Sequence, residues 1–181
     1  MKQTVLILFI ILTFNISFAC SCGKFKTFIS ASKQSELVIK AKVLGHNYYN
    51  RQQQAISKEQ IKDSKYFGHS ITVEVIEIIK GTENRRQFEI YGGIEWEYFY
   101  EFQEKVNKLE TNKIYIFSLL QASYYHYTQP NENNEDYTFY TCQESYVEYI
   151  EELDSVKGVL KSLNLDKVRI ILYDKLKKKI L

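Results

Sequence analysis

From Ile71 to Gly81 the chain reads as a strand that changes phase part-way along, and this limits the sheets it can belong to. Ile71, Val73 and Val75 alternate with Thr72 and Glu74, the period-two pattern of a strand with one buried face. Ile76 and Ile78 then continue the apolar series on the other parity, past Glu77, so one residue is in excess. An extra residue in a strand is a bulge, which bends the strand and raises its twist. Such a strand suits a small, closed sheet better than a flat, open one. Lys80-Gly81 ends it.

Four further stretches have strand character. Leu37, Ile39, Ala41 and Val43 alternate with Val38, Lys40, Lys42 and Leu44, up to Gly45. Phe88 and Ile90 mark another strand, Ile114 to Leu120 a fourth and Tyr137 to Cys142 a fifth. Residues 46–69 are polar and read as a surface excursion, 94–112 as a mixed connection with a short helix after Trp96, and 129–136 as a turn-rich hairpin tip. Phe25, Phe28 and Ile29 fit one turn of a helix. Ile150, Leu153, Val156, Leu160 and Leu163 recur at three- and four-residue steps, which predicts an amphipathic helix over 151–163 packed on the sheet. Residues 164–181 carry six basic side chains against Asp166 and Asp174, a net +4, and read as a solvated or loosely docked basic tail with a possible affinity for anionic membrane surfaces. No internal repeat is visible. The expected class is all-β with flanking helices, as a five-stranded oligonucleotide/oligosaccharide-binding (OB) barrel, whose closure removes exposed edges. A β-sandwich ranks second, because it would want about seven strands.

The first residues predict export. Lys2, then the apolar run Val5 to Leu12, then small residues at Ser17 and Ala19 form the pattern of a secretory signal peptide over 1–19. Cleavage after Ala19 makes Cys20 the first mature residue. A bacterial lipoprotein is also cut before a cysteine, which then carries the lipid, so membrane attachment through a lipidated Cys20 is the alternative to a free secreted product. In both cases the protein works where disulfides are stable.

Composition excludes several classes. With 24 Lys+Arg, 22 Asp+Glu and 45% hydrophobic residues, the chain is globular and nearly neutral. Residues 20–163 sum to −3, which argues against a nucleic-acid partner. No nucleophile–base pair, phosphate-binding glycine loop or HExxH motif is present, so no enzyme and no cofactor are expected. Cys20, Cys22 and Cys142 with one of His46, His69 or His126 would make a zinc set only if the scattered histidines converged; a disulfide is the simpler use of cysteines in an oxidising compartment, and no intrinsic metal is expected. Trp96, Tyr98, Phe99, Tyr100 and Phe102 form one aromatic cluster and Tyr124, Tyr125 and Tyr127 another. Their expected role is barrel lining and cover, with Trp96, Tyr98 and Phe99 as candidate contacts for a protein or glycan if exposed.

Cys20-Ser21-Cys22, then Ser35 to Val43, resembles the mature start of the tissue inhibitors of metalloproteinases. Ile71 to Val75 leading to Ile79-Lys80-Gly81, and Asn112 to Phe117 followed by Phe139 and Cys142, are similar to later strands of that family. The likeness spans residues 20–150 and implies a netrin-like OB barrel in a bacterial version of the inhibitor. In the family the free α-amino group and carbonyl of the first cysteine chelate the protease zinc, so Cys20, Ser21, Cys22 and Gly23 are implied as an inhibitory wedge. Ser21 would enter the specificity pocket of an extracellular zinc metalloprotease. A catalytic zinc keeps one position open, and an α-amino group titrating near pH 8 is unprotonated often enough to take it. The resemblance also implies a Cys22–Cys142 disulfide, closing a loop of about 120 residues, for which chain entropy allows up to about 5 kcal/mol. The family's partner for the first cysteine would lie within residues 91–112, which contain no cysteine. The alternative function is a secreted or lipid-anchored OB-fold binding module without inhibitory activity.

Overall fold

The computed structural model describes residues 26–50, 52–63, 68–94, 106, 108–122, 131–139, 143–161 and 168–181. They form a mostly β structure of nine strands and two flanking helices. The elements are α1 (Phe28–Gln34), β1 (Leu37–Tyr49), β2 (Ala55–Ile56), a 3-10 helix (Lys58–Asp63), β3 (Gly68–Lys80), β4 (Gln87–Ile94), β5 (Ile114–Gln121), β6 (Tyr137–Thr138), β7 (Tyr146–Ile150), a 3-10 turn (Glu151–Leu153), β8 (Ser155–Gly158), β9 (Arg169–Leu172) and α2 (Tyr173–Ile180). The strands make one mixed sheet in the order β2-β1-β3-β4-β6-β5-β7-β8-β9. β1 also pairs with β5, so β1, β3, β4, β6 and β5 form a partial ring within the sheet.

The phase slip in β3 is a pair of bulges. Against β1, Ala41 faces Val75 while Lys40 faces Glu77, which leaves Ile76 over; Ile39 faces Ile78 and Val38 faces Lys80, which leaves Ile79 over. A third irregularity leaves Leu44 over on β1. The two long strands can therefore curl around the ring interior while staying paired.

Both faces of β1 are buried, against different cores. Leu37, Ile39, Ala41 and Val43 point into the ring with Ile71, Val73, Phe88, Ile90, Phe117 and Leu119. Val38 points outward and joins Ile79, Ile116, Val147 and Val156 beneath α1 and α2. The joint between α1 and β1 is held by side chains. Lys80 Nζ donates to the α1 carbonyls of Ser32 (3.1 Å) and Lys33 (2.8 Å), where a helix C-terminus favours a cation. Gly81 turns with φ +89°, and a Cβ there would collide with the Glu36 carbonyl oxygen, so this turn needs glycine. Ser35 Oγ donates to Ala31 O (3.0 Å) and meets Ser118 Oγ, while the Glu36 carboxylate accepts from Gln121 N (2.8 Å).

Three expectations are corrected. The stretch from 151 to 163 is not an amphipathic helix where it is described: Glu151–Leu153 is one 3-10 turn, Asp154 is left-handed (φ 42°), and the chain reverses into β8. Leu153 is 58% exposed although the helical stripe required it inside, whereas Val156 and Leu160 are buried. Alternation in Tyr146–Ile150 and Ser155–Gly158 around a four-residue reversal wins over the three-four spacing. The basic tail is not loosely docked either. Tyr173, Leu176 and Ile180 are buried in the second core, and α2 starts with Tyr173 N donating to Asp154 O (2.9 Å). Lastly, 46–69 is not simply a surface excursion, since β1 runs on to Tyr49 and β3 starts at Gly68, with Tyr48, Tyr49, His69 and Ser70 buried. Among the described residues no helix is long and apolar enough to cross a membrane.

Candidate functional sites

Lys26 is the first described residue, and it makes an isolated parallel bridge with Gln143. Glu144 N donates to Lys26 O (2.8 Å), Lys26 Nζ donates to Gln34 Oε1, and Phe28 N and Ile29 N donate to the carbonyls of Val159 (3.1 Å) and Leu160 (3.4 Å). The segment entering α1 is thus pinned between the strand after Gln143 and the end of β8. Ser118 N continues this seam by donating to Ser145 O (2.8 Å). The wedge residues Cys20, Ser21, Cys22 and Gly23, and Cys142, lie outside the described residues. Trp96, Tyr98 and Phe99 lie outside them as well. Cys22 is four positions before Lys26, and Cys142 is one position before Gln143.

Two polar clusters on the ring were not anticipated as units. On its outer face Tyr49 Oη donates to both oxygens of Glu89 (2.8 and 3.0 Å), and Ser70 Oγ donates to the same carboxylate. Beside them Asn47 Nδ2 donates to Thr72 Oγ1 (2.8 Å), and Tyr91 Oη donates to Asn131 O (2.9 Å). Burial and the Glu89 charge push the Tyr49 phenol up to about 12, and burial pushes that of Tyr91 up as well. Both phenols therefore remain donors at physiological pH, and the cluster holds β1, β3 and β4 together with the 131–136 turn.

The second cluster lies on the inner parity. His46 Nδ1 is 3.0 Å from His69 Nε2, and His46 Nε2 is 2.8 Å from Leu109 O. A carbonyl only accepts, so His46 carries its proton on Nε2, and its Nδ1 accepts from the Nε2–H of His69. Tyr48 stacks on His69 with ring centroids 4.5 Å apart. His69 is 3% exposed; burial, then His46 and Lys58, hold its pKa down to about 3. The expectation of scattered histidines is thereby corrected for these two. Their meeting is set by register, since His46 pairs with Ile71 and Tyr48 with His69, and the two histidines lie 23 residues apart on the paired strands β1 and β3. No local spacing in the sequence signals it. Among the described residues no three His, Cys, Asp or Glu side chains converge to hold a metal.

Compared with known proteins, the sequence matches no family model, and no curated protein matches it significantly.

Proposed function

We propose that the chain is a secreted netrin-like OB-barrel protein that inhibits a zinc metalloendopeptidase through its processed N-terminus. The observation that carries this reading is the Lys26–Gln143 bridge, which ties the chain just after Cys22 to the chain just after Cys142. Three residues separate Cys22 from Lys26, and at about 3.3–3.6 Å per extended residue they span far more than the 4.4–6.8 Å between the Cα atoms of a disulfide. The bridge thus supports a Cys22–Cys142 tether. The five-stranded partial ring supports the barrel, and Ser35, Glu36, Lys80 and Gly81, all within the stretches that carry the resemblance, meet at one structural joint.

In this mechanism the Cys20 amine and carbonyl take the open zinc position in place of water, Ser21 enters the specificity pocket, and Cys22-Gly23 follow the cleft. The amine must be free and unprotonated, so its action strengthens as pH rises through about 8. With three cysteines in the chain, a Cys22–Cys142 pair leaves Cys20 without a partner among them, which favours the second reading, a secreted or lipid-anchored binding module. A wedge ordered by one tether rather than two binds less tightly.

Mass spectrometry of the exported protein is the first test. The inhibitor reading expects a mature chain beginning with an unmodified Cys20 and a Cys22–Cys142 cross-linked peptide under non-reducing conditions; a diacylglyceryl mass on Cys20 overturns it. Inhibition assays on zinc endopeptidases then compare this protein with Ser21→Arg and with a form carrying one extra N-terminal Ala. Loss of potency in both is expected, and unchanged potency in either refutes the wedge.

A further inference from the structure

We propose that the outer border of the sheet, where β9 turns into α2, docks on a phospholipid leaflet with anionic headgroups. β9 is the last strand in the sheet order, paired only with β8 among the described residues. Its residues alternate: Ile171 faces the second core beside Val156, while Ile170 and Leu172 point the other way, opposite Lys157 and Ser155. Val168 continues that parity. The three are 55% (Val168), 57% (Ile170) and 52% (Leu172) exposed. Single exposed aliphatics are ordinary, but three at alternate places on one border make an apolar ridge.

Cations frame this ridge. Lys157 lies across from Ile170, and Arg169 is exposed between Val168 and Ile170. α2 begins directly after Leu172, and Lys175 and Lys179 follow at the third and seventh positions beyond it, along one flank of the helix. The other flank faces β3, where Lys177 binds Glu77 (3.2 Å) and Leu181 shares a groove with Ile78, so the Lys175–Lys179 flank is turned toward the β9 side. Tyr173 N is bound to Asp154 O, just before β8, so α2 runs back along β9 and brings Lys179 beside Lys161, just past the end of β8. The Lys161 charge holds the Lys179 ammonium below the usual lysine range. None of these five cations has an acidic partner among the described residues. Nearby carboxylates are engaged elsewhere: Glu148, opposite Lys157 in register, by Lys113 (3.6 Å), Asp154 by Tyr149 Oη (2.8 Å) and Asp174 by Lys177 (3.6 Å). Glu151 and Glu152 sit in the turn before Asp154, at the end of the border away from Lys161 and Lys179. A soluble acidic partner would neutralise the lysines and leave the aliphatics in water. A leaflet satisfies both, with the aliphatics at the headgroup–acyl boundary and the ammonium groups on phosphates. The described chain also begins beside this border, since Phe28 N and Ile29 N donate to the carbonyls of Val159 and Leu160. The surface requires neither a lipid on Cys20 nor the inhibitory wedge.

Sedimentation with vesicles tests this on the full processed chain made without lipid, so that no acyl anchor contributes. Binding is expected to phosphatidylcholine vesicles containing phosphatidylglycerol, and not to phosphatidylcholine alone. A cation at an anionic surface is worth about fivefold in partition, so the double variant Lys161→Gln, Lys179→Gln should bind about 25-fold more weakly. Lys58→Gln, in the 3-10 helix beyond the far end of β1, should change binding by less than about twofold. Ile170→Thr keeps the β-branch and should cost about fivefold, from the exposed half of one aliphatic side chain. Hydrogen exchange of the wild-type chain decides the matter without any variant: anionic vesicles should slow exchange at 168–172 and leave 55–63 unchanged. No binding to the anionic vesicles overturns the proposal, as do binding that survives the double lysine change and protection that misses 168–172. Equal affinity for soluble polyglutamate, with Ile170→Thr without effect, overturns it too and marks the border as a site for an acidic protein. Inhibition through Cys20 is read separately by the endopeptidase assays, so either reading can fail alone.

Discussion

Replacing Leu176 by alanine tests whether the C-terminal helix is part of the fold or an appendage to it. Leu176 is completely buried between Tyr173 and Ile180, each 4% exposed, and the three present one face of α2 to Phe28, Val38, Ile116 and Val156. Leu→Ala in a packed interior costs about 2–5 kcal/mol. A helix at the chain end relaxes more easily than one held at both ends, which places the cost at about 2–3 kcal/mol, and the better helix propensity of alanine returns only a few tenths. With a urea m-value of roughly 2 kcal/mol/M, the unfolding midpoint should fall by about 1 M at unchanged m. The exposed Lys175 and Lys178 are the controls, because their alanine variants should stay within about 0.5 kcal/mol of the parent. Removing residues 168–181 altogether deletes three buried side chains at about 2 kcal/mol each, close to the whole stability of an ordinary domain, and should leave a chain that trypsin digests rapidly. A Leu176→Ala midpoint indistinguishable from that of Lys178→Ala would refute the docked helix and restore a loosely attached basic tail.

Gly81→Ala should cost about 2 kcal/mol or more, from its left-handed φ and its contact with the Glu36 carbonyl, and so lower the melting temperature by at least about 4–8 °C; Gly45→Ala, with open space around it, should melt like the parent. His69 has a folded-state pKa of about 3 against 6.5 unfolded, so its contribution is complete above pH 6.5 and is lost as pH falls toward 3. The loss is about 2 kcal/mol at pH 5, and urea titrations at pH 7.5 and 5 should show it in the wild type but not in His69→Gln. Arg85 binds Glu83 (2.8 Å) and Asp136 (3.1 Å) and lies over Phe88, but its side chain is 39% exposed. Arg85→Met should therefore cost only about 1 kcal/mol, and the difference from wild type should narrow in 1 M NaCl, as followed by thermal melts.

The sequence shows the fold wherever neighbouring residues decide it. Leu37 to Val43 alternates because one parity fills the ring, and the excess of Ile76 is visible because a slip of parity is a local signal. The hairpin of β7 and β8 is hidden for the opposite reason. Ile150, Leu153, Val156 and Leu160 satisfy helical spacing by coincidence, and what overrides it is the left-handed Asp154, together with pairing of Tyr149 to Val156 and of Val156 to Ile171, which lies some 15 residues further along the chain. In the tail, Tyr173, Leu176 and Ile180 do sit at helical spacing, but the lysines around them invite a solvated reading unless the second core is known to exist. The His46–His69 pair is the least legible feature, since it depends on the register of β1 against β3 after the extra residue Leu44.

That second core also explains what the bulge at Ile76 accomplishes. If Ile76 took a regular paired place instead of bulging, strict alternation from Ile71, Val73 and Val75 would carry Glu77 and Ile79 into the ring interior. The added residue reverses the parity, so Glu77 faces outward opposite Lys40, and Ile79, itself a bulge residue, packs with Val38 under the helices. Glu77 then accepts from Tyr173 Oη (2.9 Å) and Lys177 Nζ (3.2 Å), while Lys40 Nζ lies 3.4 Å from the centroid of the Tyr149 ring and 4.8 Å from that of Tyr173. A carboxylate destined for an apolar ring would be prohibitively costly to bury. Turned outward, it becomes the acceptor that fixes α2 to the sheet. The phase slip near the middle of the sequence and the helix at its end are thus two halves of one arrangement: the bulge that bends β3 around the first core also supplies the polar anchor for the second.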